Sequence, residues 1–438
     1  MDMPEVFHAN EWVLALPVAS PRRQIPRCQP RETVAESRVR RSTNPVKYVV
    51  VSQTLKPIPS SHAERKSIYT MFQPTMTRSN FRPITVFTPS DVGANNTNAQ
   101  NLTVKEVVAR LPEDLFQVTM FCDGDRPDPR VAARKNTRLV RSTRHGNALR
   151  LLGRCLFPPP DIYFFPRTGP LDRVFFDVRK RVGLRTSVIT YIVMAMDEVT
   201  GRGMIGRSIR EGDMVFGNSK YVTETIRLMF GVEASPIYDG VDRRYYFAPH
   251  ERVENATPVV LYAGSFQPRK RVEIVIERAA RLPGVQFRLA GRGETESRCR
   301  ELVRQFGCRN VSFLGHLPSE RLGEEMRKAD IFFFPSILEG NPQVLLQASA
   351  CGLPCVAMDL YRSDYVVNDE TGFLARSDAD LFESLDRLAG DAALRRSYSA
   401  AAVQHCYQFD WNHIARQWAA VFQQAVAKRQ PRYHQHAS

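Results

Sequence analysis

Short apolar runs alternate with amphipathic stretches along most of this chain, and this alternation constrains the fold more than any other feature. Between the runs, apolar residues recur at helical spacing, as at 102–111 and 272–282. Strands separated by helices predict parallel sheets built from βαβ units. The strand-like runs lie at 84–87, 116–122, 162–165, 188–193, 214–216, 259–263, 285–290, 311–314, 331–334 and 355–357.

A polar segment at 250–258 divides these runs into two series of similar size. We therefore predict an α/β protein with two Rossmann-like domains, at 81–250 and 251–408, that face each other across a cleft. Ligands of such domains are expected beyond the carboxyl ends of the strands. Residues 1–80 are rich in Pro, Ser and Arg without periodicity, so we expect a poorly ordered extension there.

The charge of the chain is concentrated in one segment. The 438 residues carry 61 Lys or Arg and 46 Asp or Glu, a formal net charge of +15. Residues 126–185 alone contain fifteen Lys or Arg and four Asp or Glu. This segment is either an ordinary solvated face or a basic surface for anionic lipid headgroups or a polyanionic acceptor. It lacks the aromatic interleaving of single-strand nucleic-acid binders, so we expect no nucleic-acid partner.

The sequence predicts neither a membrane span nor a disulfide framework. The longest weakly polar run, at 186–196, is about half of the ~20 residues that a spanning helix needs. The first residues, MDMPEVFHANEW, make a poor secretory signal because acidic residues precede the short apolar stretch. The eight cysteines form no CxxC pair, and we interpret Cys351 and Cys355 as small buried apolar residues. A cytoplasmic location, peripheral to the inner face of the membrane if the basic segment docks there, fits these features.

The densest chemical pattern is FPSILEGNPQVLLQASACGLPCVAMDL at 334–360. A buried strand is followed by a loop with Glu339 and Gly340, and a helix is predicted to begin near Asn341–Pro342. Free N–H groups at such a helix start favour a phosphate, and Glu339 is placed to meet sugar hydroxyls or developing positive charge. The alternative is an ordinary loop and helix cap. The N–H groups that we expect to face the cleft are those of Gln343, Val344 and Leu345.

This pattern resembles the donor-site signature of the family 4 retaining glycosyltransferases, which have the GT-B fold. The resemblance covers about residues 83–425 and is strong over 214–422. It implies a metal-independent hexosyltransferase without a cofactor, acting in cell-envelope or polysaccharide biosynthesis. Such an enzyme moves a sugar from a nucleotide diphosphate sugar to a glycan, lipid-linked or small-molecule acceptor. It also implies a C-terminal helix at 409–430 that packs back toward the N-terminal domain, with a tail at 431–438. Similar segments lie at 236–249, 261–273, 287–294, 311–318, 368–374 and 409–422.

The resemblance also assigns roles to individual residues. Lys270 matches the lysine that contacts the donor diphosphate, and Glu339 matches the first glutamate of a pair, which faces the donor sugar. Gly291 and Gly293 match the glycine loop of the nucleotide site. The loop opposite the donor phosphate corresponds to Gly93 and Ala94. The other donor-binding candidates are Ser265, Arg269, Gly340, Asn341, Gln343, Val344, Leu345 and Gln347.

Several positions depart from the family pattern. Gln347 stands where the second glutamate is expected, and Ser265 stands where an arginine is expected. Arg269 or Arg271 is then the candidate replacement for that arginine. The acceptor-domain histidine is absent, and the residues near its place are Met194, Met196, Asp197 and Glu198.

Two alternatives stay open, the first because of these departures and the second because of the basic segment. One is a catalytically impaired GT-B protein that binds nucleotide sugar or glycan. The other is a polyanion-binding or membrane-docking protein that uses residues 126–185. Asp123 and Asp125 mimic a metal-binding DxD motif, but the surrounding residues indicate a turn, and we expect no metal site. His145 and His316 are lone histidines for which a structural role is at least as good an interpretation.

Overall fold

Two parallel sheets organise the part of the chain that the structure describes. The computed structural model describes residues 82–93, 99–122, 126–140, 153, 157–166, 170–194, 203–252 and 254–429. The predicted extension at 1–80 and the tail at 431–438 lie outside these residues.

The first sheet has seven strands in the order β3-β2-β1-β4-β5-β6-β7. All neighbouring strands are parallel. Its strands are β1 Ile84–Asp91, β2 Phe116–Phe121, β3 Thr137–Val140, β4 Ile162–Phe164, β5 Ser187–Ile192, β6 Met214–Gly217 and β7 Ser235–Pro236. The helices of this part are α1 Ala99–Val108, α2 Pro129–Ala132, α3 Pro170–Val182, α4 Met204–Glu211 and α5 Lys220–Phe230.

The second sheet has six parallel strands in the order β10-β9-β8-β11-β12-β13. They are β8 Val259–Ala263, β9 Gln286–Ala290, β10 Val311–Gly315, β11 Ile331–Phe334, β12 Cys355–Met358 and β13 Gly372–Ala375. Its helices are α6 Val272–Arg281, α7 Glu296–Gln305, α8 Ser319–Lys328, α9 Gln343–Ala350, α10 Asp378–Gly390 and α11 Ala392–His405.

The central strands are apolar throughout because helices cover both faces of the sheets. Every residue of β8, β11 and β12 is buried. Cys351 and Cys355 belong to the same core, as predicted. This continuous apolar character is the signal that made the strands visible in the sequence.

The last helix, α12 Trp411–Ala427, returns to the first sheet. Its Trp418 is fully buried, with ring centroids 4.8 Å from Phe164, 5.1 Å from Tyr191 and 5.3 Å from Phe216. The chain therefore crosses from the second domain back to the core of the first.

The predicted fold class, two Rossmann-like α/β domains, is confirmed, and all ten predicted runs are strands. The sequence missed β3, β7 and β13. These strands are short and lie at sheet edges, where exposed positions and a glycine interrupt the apolar pattern. Among the described helices, none combines the length and the apolarity that crossing a membrane requires.

Candidate active site

The candidate site lies where the strand order of the second sheet reverses. From β8 the chain moves outward to β9 and β10, and from β11 it moves outward in the other direction to β12 and β13. The loops that follow β8 and β11 therefore leave the sheet side by side. In open α/β sheets, ligands bind at this switch point.

A single carboxylate joins these two loops. The Oε1 atom of Glu339, in the loop after β11, accepts hydrogen bonds from Ser336 Oγ at 2.6 Å and from Arg269 Nη1 at 2.7 Å. It also forms an ion pair with Lys270 Nζ. The side chains of Lys270 and Glu339 are about nine-tenths buried, and that of Arg269 is 33% exposed. One anion and two cations thus leave a net positive charge at this switch point.

Backbone geometry explains why these groups meet. Residues Pro268–Lys270 form a short 3-10 turn, and Arg271 ends it in the left-handed region at φ 53°. The carbonyl oxygen of Arg269 accepts the N–H of Ile337 at 3.0 Å. The Arg269 guanidinium also donates to the carbonyl oxygen of Leu338 at 2.8 Å. The two loops are therefore fixed to each other before any ligand binds.

Arg269, rather than Arg271, takes the place beside Lys270. The guanidinium of Arg271 instead forms an ion pair with Asp378 at the start of α10. Ser265 lies in the loop after β8, where its carbonyl oxygen accepts the Tyr262 hydroxyl at 3.0 Å. Of the two arginines that the sequence left open, the structure places Arg269 beside Lys270 and Glu339.

Lys270 is a buried cation. Its Nζ lies 4.9 Å from the centroid of the Phe334 ring, and the residue is only 8% exposed. Burial lowers the pKa of Lys270 from its ordinary value, and the charge of Glu339 opposes this shift. Its charge is therefore more sensitive to alkaline pH than that of an exposed lysine.

The amino end of α9 lies immediately after Glu339 and Gly340. Pro342 precedes the helix and provides no side-chain cap. The N–H of Leu345 donates to the carbonyl oxygen of Pro342 at 3.0 Å, so it does not face the cleft freely. The N–H groups of Gln343 and Val344 have no acceptor among the described residues. Gln347 lies one turn further along the same helix.

The predicted glycine loop packs against the loop after β8. The N–H of Gly291 donates to the carbonyl oxygen of Gly315 at 2.8 Å. The N–H of Phe266 donates to the carbonyl oxygen of Arg292 at 2.9 Å. Gly291 and Gly293 have φ values of 144° and 156°. A Cβ on Gly291 would lie 1.8 Å from the carbonyl oxygen of Gly264, so only glycine fits.

The remaining predicted residues lie mainly in the first domain. Gly93 follows β1; its N–H donates to Asp91 Oδ1 at 3.0 Å and its carbonyl oxygen accepts Lys105 Nζ at 3.3 Å. Met194, after β5, is 52% exposed. His316 is exposed after β10. Ala94, Asp123, Asp125, His145, Met196, Asp197 and Glu198 lie outside the described residues.

Asn341, which the sequence predicts to bind the donor, uses its side chain inside the protein. Its side chain is buried, at 3% exposure, and its amide bonds Asn218 of the first domain and Ser363. Both ends of the amide are thus used inside the protein. This asparagine connects the two domains rather than presenting a free group to the cleft.

Sequence reasoning missed Ser336 and Tyr361. Ser336 lies three residues before Glu339 and donates directly to its carboxylate. Tyr361 follows β12, the neighbour of β11, and its buried hydroxyl has no hydrogen-bond partner among the described residues. Burial and the nearby charge of Glu339 raise the pKa of Tyr361. If the strand order had been known, the position of Tyr361 after β12, beside β11, would have indicated that it lies near Glu339. One sequence does not reveal the strand order.

The described residues contain no cluster of three or more His, Cys, Asp or Glu side chains suited to a metal. The site instead provides the cations of Lys270 and Arg269 and the uncapped start of α9, which are groups that bind anions. Beside them, the carboxylate of Glu339 can accept hydrogen bonds from hydroxyl groups.

Comparison with known proteins gives this site a context. Residues 247–405 match the family model described as glycosyl transferases group 1. The chain is 34% identical over 172 residues to an exopolysaccharide phosphotransferase of Streptomyces coelicolor, covering 37% of this chain and 18% of that protein. It is 30% identical over 188 residues to a D-inositol 3-phosphate glycosyltransferase of Stackebrandtia nassauensis, covering 39% of this chain and 42% of that protein. The chain thus spans less than half the length of either relative.

A solved structure extends the similarity to both domains. HepE from Anabaena, in complex with UDP-glucose, matches with a TM-score of 0.64 at 17% identity, over 78% of this chain and 100% of that one. At this identity the match shows the fold, which is GT-B.

Proposed function

We propose that this chain, whose residues 247–405 match the glycosyl transferases group 1 family model, transfers a sugar with retention from a nucleotide diphosphate sugar to an acceptor hydroxyl. The observation that carries this proposal is the Glu339 carboxylate held by Lys270, Arg269 and Ser336 beside the open amino end of α9. The structural neighbour crystallised with UDP-glucose supports a nucleotide sugar as the donor.

In this mechanism the second domain holds the leaving group. Lys270, Arg269 and the N–H groups of Gln343 and Val344 stabilise the diphosphate as the glycosidic bond breaks. Glu339 orients the sugar through its hydroxyls and stabilises positive charge that develops on the sugar ring. The first domain presents the acceptor, whose hydroxyl oxygen attacks on the face from which the nucleotide departs and whose proton passes to the departing diphosphate oxygen. No resident metal or cofactor takes part in this proposal.

The direct test is turnover of UDP-, GDP- and ADP-glucose by the purified protein, with glycan, lipid and small-molecule acceptors. We expect acceptor-dependent release of one nucleotide and an α-linked product by NMR. Binding of a nucleotide sugar without release on any acceptor would favour the impaired, binding-only alternative that Ser265 and Gln347 raised. Absence of both binding and release, on folded protein, would overturn the proposal.

Donor affinity should fall at alkaline pH. Because the pKa of Lys270 is lowered, its cation is lost as pH rises through a value below that of an ordinary lysine, about 10.4. Calorimetry with the preferred nucleotide, from about pH 7 to about pH 10, should show this loss. A Lys270→Arg variant keeps its charge and should show a flatter profile. A wild-type affinity that stays constant over this range would contradict the role of Lys270.

We also propose peripheral contact with an anionic membrane through the basic segment 126–185. Part of that segment serves the fold, since Arg130 pairs with Glu106 and Arg179 pairs with Asp213. The end of α3 is different, because Lys180 and Arg181 are exposed next to Val182, which is 64% exposed. Basic and apolar groups side by side suit a headgroup surface.

Replacing both Lys180 and Arg181 with Gln should weaken binding to phosphatidylserine-containing vesicles by roughly 30-fold, at about 1 kcal/mol per basic residue. The matched control replaces Arg304 and Arg321 with Gln, because these arginines are exposed on the second domain. Vesicle sedimentation measures both variants. Equal binding by the two variants would remove α3 from the proposed contact, and absence of wild-type binding would remove the contact altogether.

A further inference from the structure

The loop that carries Glu339 is built tightly against the first domain. A Cβ on Gly340 would lie 2.4 Å from the carbonyl oxygen of Val193 and 3.0 Å from the Cα of Met194. The backbone at Gly340 therefore touches the segment that follows β5. This contact is one residue away from the carboxylate of the candidate site.

The side chain of Asn341 fixes this contact. Its Nδ2 donates to the carbonyl oxygen of Asn218, after β6, at 3.2 Å. Its Oδ1 accepts the hydroxyl of Ser363 at 2.8 Å. The first bond crosses to the first domain and the second stays within the second domain. At 3% exposure, the amide has no face left for a ligand.

Asn218 continues the connection into the first domain. Its Nδ2 lies 3.3 Å from the carbonyl oxygen of Val193 and 3.4 Å from Asp239 Oδ2. Val193 is thus contacted both by Asn218 and by the backbone of Gly340. Three short segments, after β5, after β6 and after β11, are held together around one carbonyl oxygen.

Asp239 anchors the other end of this cluster. Its Oδ1 accepts Thr103 Oγ1 at 2.6 Å and the Tyr191 hydroxyl at 3.1 Å, and its carbonyl oxygen accepts the Tyr365 hydroxyl at 3.2 Å. Among the described side chains, the hydrogen-bond donors to this carboxylate are uncharged. Burial accordingly raises the pKa of Asp239. A buried hydrogen-bond network of this kind makes the surrounding segments rigid and specifies one geometry.

We infer that Asn341 is a positioning residue. It holds the Glu339–Gly340 loop against the end of β5, so that the donor sugar bound by Glu339 is aligned with the acceptor held by the first domain. This inference rests on the proposed function. Its physical reason is that Asn341 is two residues from Glu339 and forms a direct side-chain bond from that loop to the first domain. A displacement of about 1 Å in such a contact can cost on the order of 100-fold in rate.

The test uses Asn341→Asp and Asn341→Ala in the full chain. Aspartate keeps the Ser363 bond but places an oxygen against the carbonyl oxygen of Asn218, and alanine removes both bonds without burying a charge. The matched control is Asn310→Asp. Asn310 is also buried and its Nδ2 also donates to backbone carbonyl oxygens, but all of them, at Ala279, Leu282 and Val285, lie within the second domain.

Two measurements distinguish the inference from the proposed function. Hydrogen exchange, which needs no substrate, should speed up in both Asn341 variants at 190–193, 214–220 and 336–346 and stay unchanged at 286–290. With the nucleotide sugar that the wild type turns over, both variants should lose roughly 10- to 100-fold in kcat and keep donor affinity within about threefold. The Asn310 control should lose thermal stability and keep kcat.

Unchanged exchange in both Asn341 variants would overturn the inference even if the wild type had no activity. A kcat within about twofold of wild type would also overturn it, because the register of the loop would then not limit transfer. A wild type that turns over no nucleotide sugar would instead contradict the proposed function, and the exchange result would still decide whether Asn341 holds the two domains together.

Discussion

Replacing Glu339 with Gln is expected to reduce sugar transfer by about 10²- to 10³-fold while leaving the fold intact. The glutamine keeps the shape of the side chain and an oxygen that can accept the Ser336 hydroxyl. It removes the charge that balances Lys270 and Arg269 and that we propose stabilises the sugar in the transition state. Nucleotide release at saturating donor measures the effect, and circular dichroism confirms folding.

Glu254→Gln is the matched control for this variant. Glu254 is also held by two arginines, Arg395 and Arg396, but it lies on the surface of the second domain and is 41% exposed. Its loss should leave turnover within about twofold of wild type, since exposed ion pairs contribute about 0–1 kcal/mol. Near-normal turnover by the Glu339 variant would remove this carboxylate from the mechanism.

Replacing Gly291 with Ala is expected to destabilise the second domain by about 3 kcal/mol or more. The added Cβ would lie 1.8 Å from the carbonyl oxygen of Gly264, and φ 144° is a conformation that alanine rarely adopts. To relieve the clash, the loop after β9 has to move away from the loop after β8, so donor affinity should fall as well. Thermal unfolding should show a midpoint lowered by roughly 6–12 °C.

Gly284→Ala provides the comparison, because Gly284 lies just before β9 and Gly291 lies just after it. Apart from its chain neighbours, none of the described residues has an atom within 4 Å of a Cβ at Gly284, and the φ of Gly284 lies outside the left-handed region. The substitution should leave the midpoint unchanged or raise it slightly, because alanine reduces the entropy of the unfolded chain. Equal midpoints for the two variants would contradict the close approach at Gly291.

The sequence predicted the fold well because buried parallel strands are apolar along their whole length. The run IFFF at Ile331–Phe334 is unmistakable for this reason. The edge strand Thr137–Val140 has alternating exposure and an arginine, so local pattern alone could not reveal it. The register between strands 70 or more residues apart depends on the whole fold and is not visible in one sequence.

The candidate site could be predicted at Glu339 and Lys270 because a resemblance carried them over, and the structure brings them together. It could not be predicted that Arg269 rather than Arg271 joins them, since the choice depends on the turn that Arg271 ends. The hydrogen bond from Asn341 to the first domain could not be predicted for a related reason. Its partner Asn218 is 123 residues away in the chain and in another domain.

The most direct test of the central claim, a donor site formed by Lys270, Arg269, Glu339 and the start of α9, is a thermal-shift panel of UDP, GDP, ADP and their glucose conjugates. It compares the wild type with Lys270→Met, which keeps the apolar stem and removes the charge. A ligand at about 100 times its Kd stabilises the folded state by about 2.7 kcal/mol. We predict that one nucleotide class raises the midpoint of the wild type and that the Lys270 variant loses most of this shift. No shift in folded wild-type protein, or an undiminished shift in the variant, would contradict the account.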